Sequence, residues 1–109
     1  MSLAHLLQRM QEGAFHEVIP ILRSDLLTNP SPEKKFLLGK AYMGIQDWKQ
    51  AITAFEASSV SPSLKERSLQ NLAICSTYLG DLETSEHIFQ ELYKKSPTQQ
   101  NRVNWANFR

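Results

Sequence analysis

The side chains best suited to acid–base, metal or phosphate chemistry are scattered along this 109-residue chain. The three histidines, His5, His16 and His87, are far apart in sequence. The segment that begins at His16 also lacks the second histidine that a zinc-protease helix requires. The four glycines are isolated, so they form no phosphate-binding loop. We therefore expect no enzymatic activity, no metal and no cofactor, and a function that rests on binding.

The cysteine and the acidic residues also predict structure rather than chemistry. Cys75 is the single cysteine, so it forms no intrachain disulfide, and its place inside a predicted helix favours a buried, inert thiol. Glu83, Glu86 and Glu91 are typical of a solvated helix face. The formal net charge is +1. Because nucleic-acid binders usually carry a strongly basic surface, we expect no nucleic acid among the partners.

The strongest regularity in the chain is a repeat of 34 residues. Six positions recur at this offset: Leu38 as Leu72, Gly39 as Ala73, Ile45 as Leu79, Asp47 as Asp81, Ala51 as Ser85 and Phe55 as Phe89. Apolar residues within each period fall at helical spacing, and no segment alternates like a strand. Because a unit of two helices cannot bury its apolar face alone, the period predicts an all-α array of stacked helix pairs.

Polar residues mark several predicted helix starts. Asp47 is followed three residues later by Gln50, and Ser63 by Glu66, which is the spacing of a capping box. Ser31 directly precedes a proline, a residue that suits the first position of a helix. These signals predict helix N-termini directly after Ser31, Asp47 and Ser63.

The residues at the period resemble the signature of the tetratricopeptide repeat (TPR) family. In one unit these residues are Leu38-Gly39, Tyr42, Asp47-Trp48, Ala51, Phe55 and Pro62, and in the next they are Leu72-Ala73, Gly80-Asp81, Ser85, Phe89 and Pro97. A fainter N-terminal unit has Phe15, Val18, Leu22 and Pro30, which recur at offsets of 32 or 33 residues. The pattern departs from the family at Ser76, where an aromatic residue is usual.

The resemblance implies one domain, 1–109, folded as a right-handed superhelical solenoid of about three TPR-like repeats. The units are a degenerate repeat at about 2–30 and two further repeats at about 32–62 and 64–97. The stretch 98–109 is predicted to be a C-terminal cap or the start of a fourth repeat. Its apolar residues are expected to cover the end of the core: Val103, Trp105, Ala106 and Phe108.

In the resembled family the first helix of each unit lines a concave groove that binds an extended peptide or a partner helix. By position, eight residues of this chain are predicted to contact such a partner: Phe36, Lys40, Met43, Arg67, Gln70, Asn71, Ile74 and Tyr78. They combine aromatic and apolar surface with amides and two cations, which suits the recognition of a peptide. The predicted function is therefore a protein-interaction module with a protein or peptide partner.

One specialisation of the family is not supported by the residues. Family members that bind the acidic C-terminus of heat-shock chaperones use a clamp of lysine, asparagine and arginine side chains. Arg67 occupies one clamp position, but Leu37 stands where an asparagine belongs and Asn71 where the arginine belongs. A carboxylate that meets one cation lacks the paired donors of a strong contact. We therefore do not expect binding of chaperone tails.

The alternative function is structural. Exposed end faces at Leu3 and Leu7, or at Trp105 and Phe108, could stack to form a homo-oligomer or to continue a longer TPR protein. An RNA-binding array is a distant third hypothesis, because it would need a basic groove. The sequence shows neither a signal-peptide pattern nor an apolar run of membrane-spanning length. We therefore expect a cytoplasmic chain without a membrane partner.

Overall fold

A computed structural model describes residues 2–108, with side chains described from Ser2 to Asn107. Seven helices follow in chain order: α1 (Leu3–Gln11), α2 (Phe15–Thr28), α3 (Pro32–Gly44), α4 (Trp48–Ser58), α5 (Lys65–Leu79), α6 (Leu82–Lys95) and α7 (Gln99–Phe108). Residues 2–108 contain no strand. The predicted all-α class is confirmed. Met1 and Arg109, which belong to the predicted domain, lie outside the described residues.

The helices stack along the chain order. Each helix packs against the helix before it and the helix after it. The first six helices form three pairs, which lie within the predicted repeats at 2–30, 32–62 and 64–97, and α7 packs on α6. The resulting body is elongated, with extents of 39 × 26 × 21 Å. Helices that contact mainly their chain neighbours are what a helical repeat array requires.

The central core lies between α2, α3, α4 and α5 and surrounds Phe55, which is fully buried. Gly39 allows α3 to approach this ring closely. A Cβ atom at Gly39 would lie 2.7 Å from Cε1 of Phe55, closer than two carbon atoms can pack. Buried alanines on the same helices, Ala41 and Ala51, complete the close contact. The small residues at the period therefore have a packing role, as the sequence indicated.

Hydroxyl groups replace apolar contacts further along the array. Ser58 of α4 and Ser68 of α5 are buried, and their Oγ atoms lie 2.6 Å apart. Ser76 is buried where the family usually has an aromatic residue, and its hydroxyl donates to the carbonyl of Leu72 at 3.0 Å. Ser85 of α6 donates to the carbonyl of residue 73 at 3.0 Å. Because each buried hydroxyl has a partner, none carries the desolvation cost of an unpaired polar group.

Two of the three predicted helix starts are capped as expected. The side chain of Ser31 accepts a hydrogen bond from the backbone N–H of Lys34 at 3.2 Å. The side chain of Asp47 accepts one from the backbone N–H of Gln50 at 3.4 Å. Both bonds satisfy an N–H group that has no partner inside the first helical turn.

The third predicted cap, at Ser63, is wrong. Helix α5 begins at Lys65 without a side-chain cap. The hydroxyl of Ser63 instead lies 3.1 Å from that of Ser61, within the turn before the helix. Glu66 does not return to Ser63 either, because its Oε1 accepts a hydrogen bond of 2.8 Å from the amide of Asn101. A distant residue therefore takes the partner that the local capping pattern requires.

Helix α7 is attached to the array through a buried asparagine. The side chain of Asn101 is 1% exposed, and its amide nitrogen donates to Glu66 and to the carbonyl of Ser96 at 2.7 Å. Its Oδ1 accepts from the amide of Gln70 at 2.6 Å. These bonds connect α7 with α5 and with the end of α6.

The prediction that apolar residues of 98–109 cover the core is wrong for two of them. Val103 and Ala106 are exposed, whereas Trp105 is half-buried. The side chain of Phe108 lies outside the described part of the chain. The docked surface of α7 is therefore partly polar, because Asn101 occupies its centre.

None of the helices within residues 2–108 combines the length and the apolar composition needed to cross a membrane.

Candidate functional site: the first-helix groove

All eight predicted contact residues lie on the first helices of the second and third pairs. Helix α3 carries Phe36, Lys40 and Met43, and α5 carries Arg67, Gln70, Asn71, Ile74 and Tyr78. The structure places them around two cavities, one between α1 and α3 and the other between α5 and α7. We call the surface formed by these two cavities and by Arg67 between them the first-helix groove.

The α1/α3 cavity has a volume of about 540 Å³. Its wall is mostly apolar and consists of Leu7, Met10, Gln11, Phe15, Phe36, Leu37, Lys40, Met43 and Gly44. Lys40 is the one charged side chain in this wall. Gly44 allows the ring of Phe15 to pack directly on the α3 backbone, since a Cβ atom there would lie 2.5 Å from the ring. The cavity thus offers an apolar surface beside a single cation.

The centre of the groove is a layered contact of two aromatic rings and a guanidinium group. Phe36 packs edge to face against the core residue Phe55, with ring centroids 5.5 Å apart. On its other side, Cζ of Arg67 lies 5.4 Å from the centroid of the Phe36 ring. A cation in this position is attracted by the negative face of the ring. Phe36 therefore holds the α5 cation beside the α1/α3 cavity.

The two amides of the predicted site each donate a hydrogen bond within the protein. Gln70 donates to Oδ1 of Asn101, as described above, and so faces α7. Asn71 donates to the backbone carbonyl of Arg67 at 2.8 Å, on its own helix. A side-chain amide has two N–H donors. These two residues therefore offer fewer donors to a partner than the sequence indicated.

The α5/α7 cavity has a volume of about 280 Å³ and is more polar. Its wall consists of Ile74, Thr77, Tyr78, Phe89, Asn104 and Asn107. Tyr78 is 67% exposed, and its ring stacks on the half-buried Trp48 of α4 with centroids 4.3 Å apart and planes 5° from parallel. Ile74 and Tyr78 therefore both reach the groove, and the stack limits the movement of the tyrosine ring.

The charges of the groove are unbalanced. Within residues 2–108, the ion pairs join Arg9 with Glu12 and Glu17, and Lys34 with Asp25. Lys40 and Arg67 therefore form no ion pair with any described carboxylate. One exposed acid, Glu33, lies on α3 one turn before Phe36 and is the acidic member of this part of the surface.

Sequence reasoning missed the contribution of α1 to the groove. Leu7 and Met10 line the α1/α3 cavity, whereas they were expected only to pack within the first unit or at its end. A signal was present in the offset of the degenerate unit. Adding 33 residues to Leu7 and Met10 gives Lys40 and Met43, which were both predicted to line the groove.

The described residues show no arrangement suited to catalysis or metal binding. They contain no group of three or more His, Cys, Asp or Glu side chains placed to hold a metal ion. Cys75 is buried, and burial raises the pKa of its thiol from 9.0 to about 11. Because the thiolate is the nucleophile, this thiol is inert near neutral pH.

A further cavity of about 510 Å³ lies between α5 and α6. Its wall consists of Pro62, Lys65, Glu66, Leu69, His87, Ile88, Glu91, Leu92, Lys95 and Ser96. None of the eight predicted contact residues lines it. Charges of both signs surround its apolar floor, so it has no preference for a partner of one charge.

Comparison with known proteins supports the fold. No protein-family model matches the chain, and no curated protein sequence matches it. Among solved structures, the chain is similar to PcrH in a crystal structure of PcrH in complex with the chaperone binding region of PopB. The similarity has a TM-score of 0.72 at 18% sequence identity and covers 99% of this chain and 94% of that chain. At this identity the comparison shows a shared TPR-like helical repeat fold.

Proposed function

We propose that this chain is a protein-interaction module that holds an extended segment of a partner protein in the first-helix groove. The observation that carries the proposal is the α1/α3 cavity, which combines an apolar wall with the unpaired cation of Lys40. Binding sites typically join apolar surface with a few placed polar groups. The fold shared with PcrH, whose structure contains a bound region of PopB, supports a protein segment as the occupant.

We also propose that the module binds without catalysing a reaction. This proposal is supported by the composition of the groove, whose cavities carry amides, apolar side chains and one cation but no acid–base pair. The groove residues can orient and desolvate a bound segment. Its chemistry is therefore recognition of shape and charge.

The test uses the partner captured from the source cells and then purified. A double variant, Leu7→Ser with Lys40→Ala, changes two side chains of the α1/α3 cavity that are both exposed, so the fold should be retained. We expect its affinity for the partner to fall at least about tenfold, because a charged hydrogen bond and apolar contact area are both lost. The matched control, Leu27→Ser with Lys49→Ala, changes exposed residues of α2 and α4 and should bind normally. Equal binding by both variants in isothermal titration would contradict the proposal.

One observation favours the alternative scaffold function. Leu3 and Leu7 are 43% and 41% exposed on α1, at one end of the helix stack. Such leucines could meet the same face of a second copy. Sedimentation of the wild type and of Leu3→Ser decides this point, because Leu3 does not line the α1/α3 cavity. An oligomer that Leu3→Ser dissociates would favour the scaffold, whereas a wild-type monomer would favour the groove binder.

A further inference from the structure

The first-helix groove has a charge pattern that restricts what it can bind. Lys40 lies in the wall of the α1/α3 cavity, and Arg67 lies over the face of Phe36, which lines the same cavity. The two cations therefore flank one aromatic ring, Lys40 one turn further along α3 and Arg67 across from it on α5. Neither is paired with a carboxylate in the described part of the chain.

The net charge of the protein does not explain this pattern. The whole chain has a formal charge of +1, so its surface is not generally basic. Other cations are already engaged, since Arg9 pairs with two glutamates and Lys34 pairs with Asp25 at 2.7 Å. The two cations without a carboxylate partner at the groove thus form a local site. A complementary partner would supply negative charge.

We propose that the groove selects an extended segment in which an aspartate or glutamate lies within about three residues of a bulky apolar side chain. This inference rests on the proposed function and specifies its partner. The apolar side chain enters the α1/α3 cavity, and the carboxylate accepts hydrogen bonds from Lys40 and Arg67. Side chains on one face of an extended chain recur every second residue, about 6.6–6.8 Å apart. That spacing allows one segment to reach both the cavity and the cations.

The geometry also sets the position of the acidic residue. Glu33 lies one turn before Phe36 on α3, on the side away from Lys40. A second acidic residue placed towards Glu33 would meet a like charge. The preferred segment therefore has its carboxylate between Lys40 and Arg67. This arrangement differs from a chaperone-tail clamp, since it needs one side-chain carboxylate and no asparagine donors.

Met10 and Met43 make the apolar part of the site tolerant. Both line the α1/α3 cavity, and methionine side chains are flexible and polarizable. We therefore expect leucine, isoleucine, methionine and phenylalanine to be accepted as the apolar residue. Selectivity then comes from the charge rather than from the shape of the apolar side chain.

The test selects peptides from a random twelve-residue display library on three purified proteins. These are the wild type, the charge-reversed variant Lys40→Glu with Arg67→Glu, and a matched control, Lys49→Glu with Lys94→Glu. The control makes the same change of net charge on exposed residues of α4 and α6. We expect the wild type and the control to enrich acidic residues near an apolar residue. The charge-reversed variant should lose that preference and enrich lysine or arginine instead.

A fluorescein-labelled peptide from the wild-type selection then measures the contact. Replacing its aspartate by asparagine should weaken binding to the wild type about tenfold or more, because a hydrogen bond between charged groups is lost. The same replacement should change binding to Lys40→Glu with Arg67→Glu less than threefold. Affinity for the wild type should also fall as salt rises from 50 to 500 mM, because salt screens the charge contact.

The outcomes separate the two proposals. If Leu7→Ser weakens the peptide but the aspartate replacement does not, the groove binds segments without selecting charge, and this inference is overturned while the proposed function stands. Equal enrichment of acidic residues by the wild type and the charge-reversed variant overturns it as well. If the folded wild type enriches no peptide at all, both proposals fail.

Discussion

At the scale of single residues, close approach between helices depends on side chains that are absent. A Cβ atom at Gly39 would lie 2.7 Å from the buried ring of Phe55, which is fixed on its other side by Phe36. We predict that Gly39→Ala lowers the free energy of unfolding by about 1–3 kcal/mol, the usual cost of overpacking a core. Alanine would otherwise stabilise a helix by about 1 kcal/mol relative to glycine. Urea denaturation therefore distinguishes the two effects by their sign.

The control for this prediction is Thr53→Ala on the exposed face of α4. It raises helix propensity without entering the core, so it should change stability by no more than about 0.5 kcal/mol. A Gly39→Ala variant that is more stable than the wild type would show that α3 and α4 have room for a methyl group. The close packing at the period would then need another explanation.

At the scale of helices, α7 depends on one buried polar side chain. Asn101 makes side-chain hydrogen bonds with Gln70, Glu66 and backbone carbonyls at the end of α6. Asn101→Ala leaves those groups without their partner, so we predict a loss of about 1–3 kcal/mol. Hydrogen exchange should rise most within α7 and least within α3 and α4. Asn104→Ala, whose bond to Gln100 is exposed, should have little effect; equal exchange profiles for the two variants would contradict this role of Asn101.

The helices themselves were largely predictable from local patterns. The period and the caps at Ser31 and Asp47 act within a few residues, and the structure confirms them. The docking of α7 was not predictable in the same way. Asn101 belongs to an amide-rich stretch that suggests a solvated surface, and its partners Gln70 and Glu66 are 31 and 35 residues away in sequence. No local pattern indicates that such an amide is buried, or that it takes the carboxylate of a predicted capping box.

At the scale of the whole molecule, the groove is a property of the stack rather than of any helix. The register of the 34-residue period placed residues of α3 and α5 around it. The wall supplied by α1 was missed because the first unit follows a shorter offset and has a weaker signature. The engagement of Gln70 and Asn71 was also missed, since a hydrogen-bond partner depends on side-chain direction. Which residues of the groove bind a partner stays a prediction.

Stability should likewise depend on neighbouring pairs rather than on one central core. The chain cut after residue 63 loses α5 to α7, and with α5 it loses Leu72 and Cys75 from the cluster around Phe55. Because that cluster then faces water and too few repeats remain to support one another, we predict that residues 1–63 do not unfold cooperatively. Residues 1–97 keep all three helix pairs and should fold with a lower melting temperature than the full chain. Circular dichroism during thermal and urea unfolding measures both forms, and a fragment 1–63 that melts as sharply and as high as the full chain would refute the repeat-array account of its stability.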